Sequence, residues 1–143
     1  MVIVVSRVFR AALDADGEFV CEIGKGLSAY VGIASTDTEE IVKKGAQKVA
    51  NLRIFPNEEG KMSNSVKDIG GEVLAVSNFT LCANTRSRRP DFMGAARPEI
   101  AKDLFDLFVS ELSKEVKTKC GVFGAHMEID SRLDGPVNIV INL

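Results

Sequence analysis

The sequence predicts an α+β fold: a largely antiparallel sheet of short strands with two main helices on one side. Three observations predict it. Short β-rich runs are separated at close intervals by turns carrying Gly and Asp. Two stretches repeat apolar residues at steps of three and four, the helical period. The strands come in consecutive groups and do not alternate regularly with helices, which argues against a doubly wound sheet.

Residues 2–9 are apolar enough at the start to form a strand buried on both faces. The turn signal Asp14-Ala15-Asp16-Gly17 leads into a second strand at 18–23. Gly24-Lys25-Gly26 turns the chain into a third, at 27–34, making a meander. Ser35-Thr36-Asp37-Thr38 offers N-caps, and Glu39 and Glu40 suit the positive end of a helix dipole. Ile41, Val42, Ala46, Val49 and Ala50 then mark an amphipathic helix at 39–51. A short strand is expected at 53–55 and an alternating one at 72–79. The polar segment 81–97 reads as a long loop. Pro98 fits the first position of a helix, and Ile100, Leu104, Phe108 and Leu112 step along one face of it to about residue 117. Two last strands, 125–131 and 137–142, flank a turn at Leu133-Asp134-Gly135-Pro136.

A length of 143 residues fits one domain, spanning 1–143. A chain of this size buries enough surface to need neither disulfide nor metal. Cys21, Cys82 and Cys120 are far apart, show no C-x-x-C spacing and have only His126 to join them, so reduced thiols in a cytoplasmic protein are expected. The apolar N-terminal run is too short for a signal peptide, and no stretch is long enough to span a bilayer. A net charge of −2 gives no bulk attraction to long nucleic acid, so any RNA contact must be local.

Three groups of residues carry chemical potential. Ser77-Asn78-Phe79-Thr80 closes a strand with short hydrogen-bonding groups, suited either to nucleophilic attack or to holding a carbonyl and its oxyanion. A hydroxyl nucleophile needs a base, and His126 is the only histidine. Leu133-Asp134-Gly135-Pro136-Val137-Asn138 contains a Gly-Pro whose proline cannot donate to a sheet ladder; on local sequence it reads as an ordinary turn. Arg86-Ser87-Arg88-Arg89 puts three guanidinium forks in one loop, a pattern that grips phosphates.

These pieces, in this order, resemble the D-aminoacyl-tRNA deacylase family along nearly the whole chain. The shared segments include Ser6-Arg7-Val8, Asn51-Leu52-Arg53-Ile54-Phe55, Ser77-Asn78-Phe79-Thr80-Leu81, Gly94-Ala95-Ala96-Arg97-Pro98-Glu99, Phe123-Gly124-Ala125-His126-Met127 and Asp134-Gly135-Pro136-Val137. The resemblance implies a barrel-like sheet and a homodimer that needs no cofactor. It implies hydrolysis of the ester between a D-amino acid and the 3′ end of tRNA, the 2′-hydroxyl of the terminal adenosine assisting. Ser77, Asn78 and Thr80 fall on the catalytic motif, with Phe79 beside them. Gly135 and Pro136 fall on a motif with a cis bond that enters the other subunit's site and rejects L-amino acids. Arg7, Phe123 and Met127 match positions lining or supporting the pocket, and Arg86, Arg88 and Arg89 would hold tRNA. Glycyl-tRNA, lacking a side chain to reject, is a plausible second substrate.

The sequence also departs from the family pattern. Asn78 stands for a usual Gln, Leu133 for Asn, Asn138 for Thr and Ser6 for Gln. Two other readings follow: a catalytically impaired relative that binds tRNA or DNA through its arginines, and an unrelated Ser or Thr hydrolase using His126.

Overall fold

Buried apolar residues alternate at Ile3 and Val5 and again at Ala11, Leu13 and Ala15, with Val8 between, so the first strand, β1 (Val2–Ala15), runs well beyond residue 9. Its second half is built on alanines, which are weak strand formers in isolation; burial of Ala11, Leu13 and Ala15 overrides that preference. The computed structural model describes residues 1–143. After β1 come β2 (Glu18–Ile23), β3 (Gly26–Gly32), α1 (Glu39–Ala50), β4 (Phe55–Pro56), β5 (Met62–Asn64) and β6 (Glu72–Ser77). A 3-10 helix (Phe79–Cys82), α2 (Pro98–Ser113), β7 (Lys117–Cys120) and β8 (Met127–Asn142) complete the chain.

β1 organises the sheet. One edge pairs antiparallel with β3 along its first half and with β2 along its second; the other edge pairs antiparallel with β8. The order β2-β1-β3-β6-β7 then curls until the ends approach. Lys119 Nζ donates to the Glu22 carbonyl at 2.6 Å, and the Cys21 thiol reaches the Cys120 carbonyl at 3.7 Å. Side chains thus bridge β2 and β7, and the barrel nearly closes.

The expectation of antiparallel groups holds for the pairings of β1, but β3–β6 and β6–β7 are parallel. Parallel neighbours need crossovers, and α1 and α2 lie in those connections. β6 is consequently buried on both faces. Val73 and Ala75 join Val42, Val49, Phe105 and Phe108 of the helices in the larger core, while Leu74 and Val76 face the barrel interior with Val8, Leu13 and Ile23. The helices start where expected, α1 capped by the Thr38 hydroxyl, which accepts from the Ile41 N–H. α2 stops at Ser113 because residues 117–120 add a strand to the sheet.

At Gly26, β3 and β6 leave no room for a side chain. A Cβ there would lie 1.8 Å from the Glu72 carbonyl oxygen, a backbone atom that cannot swing away. Gly26→Ala should therefore destabilise the fold by roughly 3 kcal/mol or more. Urea unfolding tests this; an unchanged midpoint would mean that β3 and β6 tolerate the extra atom.

The end of the chain corrects the sequence reading. There is no turn between two strands at 133–136: β8 is one strand of 16 residues. Its register on β1 slips between Val8↔Leu133 and Ser6↔Asn138, so residues 134–137 bulge opposite Arg7 alone. Proline has no N–H for the ladder, and a bulge removes that demand without ending the strand. The Gly135-Pro136 peptide is cis, as the family resemblance implied and the local sequence did not.

Candidate active site

The site begins where β6 leaves the sheet. The Asn78 N–H still donates to the Val31 carbonyl at 2.8 Å, but the Asn78 side chain already caps the 3-10 helix. Its Oδ1 accepts from the Thr80 N–H at 3.2 Å and from the Thr80 hydroxyl at 2.5 Å. Two donors on one oxygen fix the amide plane, and Nδ2 is left as a donor with no protein acceptor. The cap can sit so close to β3 because Gly32 lacks a Cβ, which would meet Leu81 Cβ at 2.9 Å and the Asn78 carbonyl at 3.1 Å.

Ser77, Asn78 and Phe79 line one side of a cavity of about 480 Å³. Phe123, Gly124, Ala125 and Met127, from the stretch that enters β8, also line it. Ile33, Phe92, Ala95, Ala96, Pro98 and Ala101 complete it. The loop carrying Phe92 and Ala95 is tied down by its backbone: Ser35 N–H donates to the Gly94 carbonyl at 2.9 Å and Ala96 N–H to the Ile33 carbonyl at 3.0 Å. Phe92 meets Phe79 edge to face, with ring centres 5.1 Å apart. The result is an apolar, aromatic slot whose few polar groups stand at the β6 end.

The structure brings Ser77, Asn78, Phe79, Phe123 and Met127 together around this slot. Thr80 touches it only through Asn78, since its hydroxyl is committed to the cap. Arg7, Gly135 and Pro136 do not line the cavity within one chain. Arg7 instead supports the bulge. Its Nε lies 3.1 Å from both the Asp134 carbonyl and Oδ2, Nη2 donates to Oδ1 at 3.1 Å, and Nη1 donates to the Ile54 carbonyl at 2.6 Å. The Phe55 ring lies beneath the guanidinium, 5.8 Å from centroid to carbon. Gly135 and Pro136, next along the chain from Asp134, are exposed.

Arg86, Arg88 and Arg89 are exposed on a loop closed by reciprocal Asn84 and Asp91 backbone bonds, and none of the three pairs with a carboxylate. His126 is exposed between two lining residues and is not one of them; its backbone N–H donates to Asp16. The base that a Ser or Thr nucleophile requires is therefore not assembled. Sequence reasoning missed Phe92 and the alanines of the slot. The signals available were Phe92-Met93, two apolar residues within an Asn- and Arg-rich loop, and the family-like segment that contains Ala95 and Ala96.

The site is thus a donor-bearing strand end beside an apolar, aromatic slot, set on a barrel-like α+β fold. The family model for D-Tyr-tRNA(Tyr) deacylase matches residues 4–142. A D-aminoacyl-tRNA deacylase of Persephonella marina is 46% identical over 143 residues, covering 99% of this chain and 97% of the relative. One from Carboxydothermus hydrogenoformans is 47% identical over 142 residues, 98% of each chain. The chain belongs to the D-Tyr-tRNA(Tyr) deacylase family, a family of hydrolases. Among solved structures, a c-Myc DNA unwinding element binding protein superposes with a TM-score of 0.95 at 37% identity, covering 100% of this chain and 99% of that one. A probable eukaryotic D-amino acid tRNA deacylase shares the fold, with a TM-score of 0.86 at 14% identity over 99% and 98% of the two chains. No helix is long and apolar enough to cross a membrane.

Proposed function

We propose that this protein hydrolyses the ester between a D-amino acid and the 3′-terminal adenosine of tRNA, in the cytoplasm and without a cofactor. The observation that carries the reading is Asn78. Its amide is locked by Thr80, with Nδ2 unpaired at the polar end of an apolar slot. The slot suits a planar base, held against Phe79, Phe123 and Met127. The ester then lies over residues 77–80. Asn78 Nδ2 and the Phe79 N–H, which a 3-10 helix leaves without an intrahelical acceptor, face the developing oxyanion. No side-chain base is called for when the ribose 2′-hydroxyl assists.

Chiral selection belongs, in this reading, to a homodimer. Gly135 and Pro136 project from one subunit into the other's slot and clash with an L side chain, leaving the D-isomer and glycine free to enter. Three features support it. The bulge is rigidly anchored by Arg7 yet exposed, it lies outside its own chain's cavity, and Phe9, Leu133 and Val140 leave apolar surface exposed along β1 and β8. Arg86, Arg88 and Arg89 hold the tRNA phosphates.

The test is a deacylation time course on matched D-, L- and glycyl-tRNA. Loss of the D-ester, with the L-ester spared and the glycyl ester cleaved more slowly, is the expected result. Neutralising the three arginines should weaken tRNA binding and reduce its log–log salt slope by about two to three. Salt-dependent binding of tRNA or single-stranded DNA with no turnover of any ester would instead favour a nucleic-acid-binding relative. The name of the 37%-identical structure makes that the reading to compare.

A further inference from the structure

We infer that Ser6 and Asn138 form a latch that positions the Gly135-Pro136 edge and thereby sets stereospecificity; this rests on the reading of that edge as the chiral filter. The bulge of residues 134–137 leaves the sheet after Val8↔Leu133 and rejoins it at Ser6↔Asn138. Arg7 fixes its first residue, Asp134, through carboxylate and carbonyl. Nothing in that grip reaches the other end. There the Ser6 hydroxyl donates to Asn138 Oδ1 at 2.6 Å, across directly paired positions of β1 and β8.

The place of Ser6 in the sheet argues for use beyond pairing. It is 8% exposed, and its cross-strand neighbour on β3, Ser28, is 1% exposed with an Oγ that has no partner. A polar row, Ser28–Ser6–Asn138, thus crosses three strands beside an apolar cluster that includes Val8, Leu74 and Val76. Buried hydroxyls cost stability relative to alanine or valine unless they are well bonded. Here one of the two bonds an exposed strand residue at the exit of the bulge.

With both ends tied, the tip moves only by bending the three residues between the anchors. Without the hydroxyl bond the exit end is held by the β1–β8 backbone ladder alone, from Ser6↔Asn138 to Val2↔Asn142, and the tip can shift about Asp134 within that looser hold. Rejection of an L side chain is a steric decision over about an ångström, so a pivot of that size admits the wrong isomer while leaving the donors at residues 77–80 in place. Ser6 and Asn138 are positioning residues: they touch no reacting atom.

The experiment measures deacylation rates of matched D- and L-aminoacyl-tRNA for Ser6→Ala, Asn138→Ala, the double variant, Ser6→Thr and, as a direct perturbation of the edge, Gly135→Ala. A Cβ on Gly135 would fall 2.1 Å from the Val137 nitrogen, so that variant must displace the edge. Ser6→Ala and Asn138→Ala should each lower the D-over-L rate ratio about tenfold, chiefly by faster L-ester loss. The D-ester rate should stay within about threefold. The double variant should match the singles, because both remove one bond, and Ser6→Thr should restore the ratio. A purely structural role would slow both esters in parallel and leave the ratio fixed, which would overturn the latch. If Gly135→Ala alone changes the ratio, the edge is the filter and the latch is wrong. If no variant changes it, the filter reading falls and the latch with it.

Discussion

Asn78→Ala is expected to lower kcat for D-aminoacyl-tRNA by about 10²–10³ while leaving KM nearly unchanged, the signature of a donor used mainly in the transition state. Asn78 serves two purposes, and only one of them is chemistry. Oδ1 caps the 3-10 helix through Thr80, and in the proposed reaction Nδ2 faces the ester. Loss of the cap alone would cost about 1 kcal/mol of stability. Asn78→Asp separates the two purposes: it keeps an acceptor for the Thr80 N–H and hydroxyl but replaces the donor with negative charge at the oxyanion position. The aspartate variant should be as slow as alanine or slower, with a urea midpoint close to that of the unmodified protein. Near-full activity in Asn78→Asp would show that capping, and not donation, is what the ester needs. Thr80→Val, which frees the amide to rotate but leaves it present, should cost only about tenfold.

Arg7→Met should destabilise the protein by roughly 2–3 kcal/mol and remove most of the preference for D- over L-esters. Arg7 and Asp134 keep only 12% and 17% of their side-chain surface. Deleting the cation strands a carboxylate that has little water to turn to, and the Ile54 carbonyl loses its donor as well. Breaking a fully buried pair costs about 3–5 kcal/mol; the remaining solvent contact places this one lower. Lysine is no substitute, since one ammonium cannot reproduce a fork that holds the Asp134 carboxylate, its own carbonyl and Ile54 at once. Urea unfolding and the D/L rate ratio are the measurements. A stable Arg7→Met variant with unchanged selectivity would mean that the bulge is held by β-pairing alone.

Periodicity located both helices because each buries one face, and residue order carried the likeness to the family because the motif segments are contiguous. What lay outside local sequence was partnership. The antiparallel reading missed the parallel pairs β3–β6 and β6–β7, since neither β6 nor the short Lys117–Cys120 strand encodes its neighbour's direction. The turn at 133–136 was misread because Asp-Gly-Pro looks like a hairpin tip until β1 is seen to pair on both sides of it. Ser6 and Asn138 read as two unrelated departures from the family pattern; in space they are the two ends of one hydrogen bond. The slot shows the same division. Ser77, Phe79, Phe123 and Met127 were legible by motif, whereas Phe92, Ala95 and Ala101 reach it only because loop and helix fold back over β3 and β6.

The α+β class, the two helices and the likeness to the family were legible in the sequence, because each is written in contiguous runs or local spacing. That Thr80 orients Asn78, that Arg7 holds Asp134, and that Gly135 and Pro136 stand outside their own chain's pocket became visible only in three dimensions. The physical reason is that hydrogen bonds and close contacts are set by distance in space. In a barrel-like sheet, residues more than a hundred positions apart, such as Arg7 and Asp134, become cross-strand neighbours through pairings that neither segment specifies alone.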